Sequence, residues 1–333
     1  MPVNTRMRWS ATALSLAACL SPLGCGTDSA SNAPTVRVET AFELPGERVY
    51  PEGIAVDERT GDLYVGSFAD GTIYRAAPGT SRAEVFLPAG TDGRRTANGL
   101  RVGPDGRLWV IDSTTGVTVY DLATRTALAR YTVPGRAERF LNDIALTPDG
   151  TAYLTDSKRA AIYRITPAAL THTITAGGRA ELTDSLDLAP ALEPHDPAAY
   201  TLNGITADPT GSYLLTVDST GGDLYRVDLT TAAIRKVTLT GGDLPLGDGL
   251  DLHDNTLRVA HNTENTVTRW NLSPDGTSAT RTAGYRDDTL ATPTTLIHSA
   301  DRTLVVASQF DRGGPLGPGT PDSPFRVLEV SGI

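Results

Sequence analysis

Cysteine is nearly missing: the 333 residues include two, Cys19 and Cys25, both within the first 25 positions. The rest of the chain can make no disulfide, so its own core must hold it. Lysine is scarce and arginine scattered, and the formal charge is −10. With no basic face to meet phosphates, nucleic acid is excluded as a partner. Aromatic residues make up 6%, too few for stacking platforms under single strands. Past the N-terminus no segment approaches 18 apolar residues, so no membrane-spanning helix is predicted. Helical periodicity of useful length is also missing. The glycine-rich stretches lack the strand-to-helix setting of a phosphate loop, and no nucleotide, haem or flavin motif occurs. None of the five histidines has a partner histidine at metal-site spacing.

What is present is ordinary for a folded protein: 39% apolar and 20% charged residues. The opening MPVNTRMRWSATALSLAACLSPLGC has Arg6 and Arg8, a short apolar stretch and then small residues. It reads as an export signal over residues 1–25. Leu16, Ala17, Ala18 and Cys19 resemble a bacterial lipobox, and residues 26–34 resemble a polar tether. Either Cys19 or Cys25 could carry the lipid, and an ordinary cleaved signal is the plainer alternative. The expected location is outside a bacterial cell, secreted or lipid-anchored, with any membrane contact made through that N-terminal lipid.

Six segments of the body share one grammar of polar residue, small residue, apolar alternation, Asp/Pro/Gly turn and second apolar run. They are YPEGIAVDERTGDLYV, TANGLRVGPDGRLWVID, FLNDIALTPDGTAYLTDS, TLNGITADPTGSYLLTVDS, LGDGLDLHDNTLRVAHN and TPTTLIHSADRTLVVAS. Aligned, they place Glu52, Asn98, Asn142, Asn203, Asp248 and Thr294 at one position, at a typical spacing of about 45 residues. Strand–turn–strand repeats of that length are propeller blades, and the turns around 104–106 and 148–150 are hairpin connections. The predicted fold is all-β, a six-bladed β-propeller of four-stranded blades over residues 35–333. FRVLEV supplies a third strand for the last blade, and TVRVETAFEL, from the N-terminus, is expected to close it as the fourth, which removes a free sheet edge.

Residues at the start of every innermost strand point together into one funnel. Here all six carry oxygen or amide groups and two are acids. Two carboxylates held together in a tunnel repel each other unless a positive charge lies between them. Oxygen donors without Cys or His suit a divalent cation, Ca²⁺ above all, although another divalent metal would fit the same donors. The bland alternative is that these residues only cap strands and turns.

PEG at 51–53, LNDI at 141–144, NGI at 203–205 and GDGL at 247–250, taken in blade register, resemble one family. It is that of the gluconolactonases, regucalcin (senescence marker protein), diisopropylfluorophosphatase and the paraoxonases, six-bladed propellers with a metal at the axis. The resemblance implies that Glu52, Asn142, Asn203 and Asp248 ligate the metal, with Asp248 also general base or nucleophile. It implies that Asn98 and Thr294 line the substrate funnel. Paraoxonases have a histidine where this chain has Asn98, which argues against a histidine base of their type. The expected activity is hydrolysis of a small-molecule lactone or ester.

The loops on the funnel face carry Asp112, Asp156, Asp218 and His261. Aspartates there commonly serve as turn residues. His261 is the first histidine expected at the mouth, and His195, which precedes blade four in the long insertion, is the second. His172, His253 and His298 are expected in strands or far-side turns. Two irregular stretches, about 181–200 and 311–324, map to the same face and are candidates for a lid or wall. The reading from another class is a non-enzymatic exported propeller that binds a ligand or protein. Metal dependence separates the two.

Overall fold

Polar and small residues open each inner strand, and apolar alternation follows. In the computed structural model, which describes Met1 and residues 36–299 and 301–333, this pattern builds six sheets, each with an antiparallel core of four strands, around one axis. The expected export signal and tether lie, Met1 apart, outside the described residues. The innermost strands are Pro51–Asp57, Leu100–Val102, Leu141–Leu146, Leu202–Ala207, Gly247–His253 and Pro293–Ser299. The protein is a six-bladed β-propeller.

The chain closes the ring as expected. Blade six is made of Pro293–Ser299, Arg302–Ala307, Phe325–Ser331 and the N-terminal Arg37–Leu44. The last two pair antiparallel from Arg37 opposite Ser331 to Leu44 opposite Phe325. Phe42 and Leu44 are buried by the pairing, so the N-terminal strand is fastened by apolar burial as well as by its hydrogen bonds.

Apolar side chains pack between neighbouring sheets. Leu44, Ile54, Val306 and Phe325 meet between blades six and one. Trp109, Val119, Ile144 and Leu154 meet between blades two and three, and Val217, Leu250, Val259 and Trp270 between blades four and five. Each sheet is thereby sandwiched on both faces.

Two sheets gain a fifth strand that repeat spacing did not foretell. Arg179–Glu181 adds parallel to Thr126–Thr132 of blade two, and the chain then runs on into Ser185–Asp187 of blade three. Ile234–Lys236 belongs to blade four, and Thr238–Thr240, just beyond it, adds parallel to Ser278–Arg286 of blade five. One extended segment thus straps two blades together in each case.

The long interval before blade four is also divided differently than expected. Part of it is a helix, Pro167–Thr175, which carries His172. Thr166 caps it by accepting from the Ala169 N–H, and Pro167 occupies the first turn, where its missing N–H costs nothing. Leu170 is buried against blades two and three. This helix follows the third strand of blade three, so it lies on the face opposite the funnel, and only the stretch after Asp187 reaches the funnel rim. His172 is therefore on a helix, not in a strand or turn.

Candidate functional site

The candidate residues occupy bulges. In five blades the pairing of the inner strand with its neighbour sets two residues against one. The shift falls between Pro51 and Ile54, Leu141 and Ile144, Leu202 and Ile205, Gly247 and Leu250, and Pro293 and Leu296. Glu52, Asn142, Asn203, Asp248 and Thr294 fall inside these irregularities. A bulge breaks strand alternation and re-aims a side chain, and repetition around the ring turns several side chains toward one axis.

Close backbone approach completes the geometry. A Cβ on Gly53 would lie 2.2 Å from the Asn98 carbonyl oxygen, and one on Gly204 would lie 2.1 Å from that of Asp248. Glycine after the site residue is what lets adjacent inner strands come this near. Where glycine is missing, threonine hydroxyls bridge the blades. Thr155 donates to the Asn203 carbonyl at 2.7 Å, and Thr294 donates to that of Glu52 at 2.8 Å.

Glu52, Asn98, Asn142 and Asp248 are buried, and Asn203 is half-buried. Glu52 Oε2 and the Oδ1 atoms of Asn98, Asn142 and Asn203 are buried acceptors without a hydrogen-bond donor. The Asn142 amide is spent on Ser157 at 3.1 Å, which leaves only its oxygen to turn elsewhere. Asp248 accepts from the Asn262 amide at 2.7 Å, and the Asn203 side chain beside it also favours the charged carboxylate. Buried acceptors without donors are costly.

The electrostatics say the same. Burial pushes the Glu52 carboxyl well above the usual carboxylate range, and repulsion from Asp248 and then Asp143 adds to it. Burial likewise raises Asp248, to about 7, against the opposing hydrogen bond from Asn262. Glu52 and Asp248 share one end of the axis. Among the described residues no group of three or more His, Cys, Asp or Glu side chains could hold an ion by itself, so the amide oxygens are necessary members of any such set. Two carboxylates and two unpaired amide oxygens are the donors a hard divalent cation accepts.

Residues 50–309 match the family described as the SMP-30/Gluconolactonase/LRE-like region. The chain belongs to this family. The match runs from just before Glu52 to just past the second strand of blade six, so the family's span takes in all six inner strands. No curated protein matches the sequence. Solved structures share the fold at low identity. A gluconolactonase from Xanthomonas campestris is 16% identical with a TM-score of 0.59, the alignment covering 90% of each chain. The allergen Mala s 1 of Malassezia sympodialis is 15% identical with a TM-score of 0.60, over 87% of this chain and 95% of that one. Virginiamycin B lyase from Staphylococcus aureus is 13% identical with a TM-score of 0.54, over 89% and 99%.

The remaining expected site residues separate into distinct roles. Thr294 is fully buried and clamps blade six to Glu52's backbone, so it supports the funnel wall and does not line it. His261 is buried between strands, its Nδ1 on the Pro245 carbonyl at 2.9 Å and its Nε2 on Thr268 at 2.7 Å. Both ring nitrogens are engaged, and the ring braces blade five where a mouth position was expected. His195 Nε2 lies 2.5 Å from the buried Asp218 carboxylate and fastens the rim stretch to blade four. Asp112 and Asp156 accept from the Thr114 and Lys158 N–H groups of their own turns, as expected for turn residues, and also from the Arg95 and Phe140 N–H groups that lead into the same blades.

Three contributors were not singled out from the sequence. Asn262 lies in the loop after His261 and gives no signal there. Asp143, inside LNDI, sits in the same bulge as Asn142 and is buried. Arg101 is the third, a cation in the short inner strand LRV, and its guanidinium reaches to 3.7 Å from Asp143. A charge in an otherwise apolar strand was the available hint.

Around the rim, Phe140 meets Tyr200 edge-on at 5.1 Å, and the Lys158 ammonium lies 3.8 Å from the Tyr200 ring. Across the ring, Phe68 and Phe310 pack at 5.2 Å, beside the 311–324 stretch. Tyr50 anchors that stretch by donating to the Arg312 carbonyl at 3.0 Å.

Proposed function

We propose that the protein is a divalent-metal-dependent hydrolase of lactones or esters, with Ca²⁺ held at the propeller axis by Glu52, Asn142, Asn203 and Asp248. The observation that carries this is the convergence of donorless buried oxygens on Glu52, Asn142 and Asn203 beside the raised carboxyl of Asp248. Membership of a family whose description includes gluconolactonase supports the same substrate class.

When bound, such an ion supplies positive charge to polarise the carbonyl oxygen of a substrate and to stabilise the oxyanion that develops there. The chain's own residues do the rest. Asn262 orients the Asp248 carboxylate by a hydrogen bond, with the Asn203 side chain beside it. In its ionised form Asp248 takes a proton from a water molecule while that oxygen bonds to the acyl carbon. The ester C–O bond then breaks, and the departing alkoxide takes up the proton. In a lactone the same bond opens the ring. Asn98, with its buried free Oδ1, lies at the base of the funnel. Phe140, Tyr200 and Phe68, the last backed by the buried Phe310, give the rim aromatic walls for an organic substrate.

Lactones, aryl esters and phosphotriesters assayed with Ca²⁺ and with chelator test the reading directly. Hydrolysis of a lactone or ester that chelation abolishes is the expected result. Asp248→Asn should lower kcat by about 10²–10⁴-fold, the range for loss of a positioned general base. Full activity in Asp248→Asn with metal bound would remove its assigned role.

A further inference from the structure

Charge around the axis does not stop at the four proposed donors. Asp143 is buried and contributes a third carboxylate beside Glu52 and Asp248. Facing it at 3.7 Å is the Arg101 guanidinium, which also donates to its own strand at Leu100 O, 2.8 Å. Glu52 feels both Asp143 and Arg101. Asp251, on the inner strand of blade five, also feels Arg101 but has Arg258 at 3.9 Å as its nearer counter-charge. Once that pair is set aside, three carboxylates stand against one fixed cation. The deficit is two positive charges.

We infer that Arg101 sets the valence of the cation this site accepts, by supplying the single fixed positive charge that makes a divalent ion, and not a trivalent one, complete the balance of Glu52, Asp143 and Asp248. Arginine suits this task because it stays charged under all working conditions and cannot shed a proton to adapt. In a buried site an uncompensated charge is expensive, so a mismatch of one unit should register strongly in affinity. Arg101 is a positioning residue: it meets Asp143, not the proposed substrate. The inference rests on the proposed metal site, and the experiment separates the two.

The test is calorimetric titration of the folded protein with Ca²⁺ and, separately, with La³⁺, giving the ratio of the two dissociation constants. Wild type should favour Ca²⁺ relative to Arg101→Gln, in which the ratio should move toward La³⁺ by about tenfold or more, as expected for a unit charge at close range in a partly buried site. Arg101→Lys keeps the charge and should keep the wild-type ratio. Asp143→Asn removes a negative charge and should move the ratio the opposite way, toward Ca²⁺, which tests the same balance should Arg101→Gln fail to fold. Combining Arg101→Gln with Asp143→Asn should restore the wild-type ratio. Unchanged ratios in the two single variants would overturn the role of Arg101 while leaving the metal site standing. A wild-type protein that binds neither ion would sink both.

Discussion

Burial above all, with repulsion from Asp248 and Asp143 at Glu52 and from Asp143 at Asp248, holds the two carboxyls in their protonated form beyond the ordinary carboxylate range, Asp248 to about 7. In the ion-free protein these groups bind protons more tightly when folded than when unfolded. Their contribution to stability is therefore full below about pH 4 and is lost at higher pH, that of Asp248 as pH rises through about 7 and that of Glu52 as pH rises through its own raised value. Added Ca²⁺ should take the protons' place, so the gain in melting temperature on adding it should grow between about pH 5 and 8. Thermal scans across that range would show a flat or shrinking gain if the two carboxyls were not ligands. The glycines matter at the same scale. Gly204→Ala would push a methyl group to 2.1 Å from the Asp248 carbonyl oxygen, and the backbone must shift to relieve it. A loss of about 1–3 kcal/mol is expected, typical of overpacking, measured by denaturant unfolding.

Blades are held to one another by shared strands. Arg179–Glu181 and Thr238–Thr240 each extend the sheet next door, and Glu43 of the closing strand forms a parallel bridge with Arg82 ahead of blade one's outer strand. The joins so formed link blades six to one, two to three and four to five. The N-terminal strand Arg37–Leu44 serves two of these tasks at once, closing blade six and touching blade one. Deleting residues 36–44 would bare the edge of Phe325–Ser331 and the apolar side chains that Phe42 and Leu44 cover. Such an edge invites intermolecular pairing. The truncated protein should aggregate or lose its cooperative thermal transition, as size-exclusion chromatography and calorimetry would reveal. Folding to a monomer of unchanged stability would show that the remaining blades close by themselves.

Across the whole molecule, six sheets each contribute one strand start to the axis, so the site is assembled from residues nearly 200 positions apart. A ligand that binds this assembly and not the unfolded chain stabilises the ring by mass action. At about a hundred times its dissociation constant, Ca²⁺ should add about 2.7 kcal/mol, and chelation should remove that gain along with hydrolysis. Thermal unfolding with and without chelator is the measurement. Stability indifferent to chelation, with no hydrolysis detected with or without Ca²⁺, would favour a binding module over an enzyme.

Much of this architecture was legible in the chain itself. The repeat of polar residue, small residue and apolar alternation specified the number of blades, the closing strand and the register that aligns Glu52, Asn142, Asn203 and Asp248, because strand alternation and turn chemistry are local properties. The helix at Pro167–Thr175 announced itself only through Thr166 and Pro167, too brief a signal for periodicity to register. The strap strands gave less still, since three residues beside a neighbouring blade carry no pattern of their own.

Sequence by itself determined the blade count and which side chains begin each inner strand, since both follow from hydrophobic patterning along short stretches. Only the tertiary structure decided that Arg101 faces Asp143, that His261 is spent between Pro245 and Thr268, and that Thr294 clamps a backbone. Those assignments depend on distances between strands remote in the chain, and burial and pairing across space, not the local order of residues, fix them.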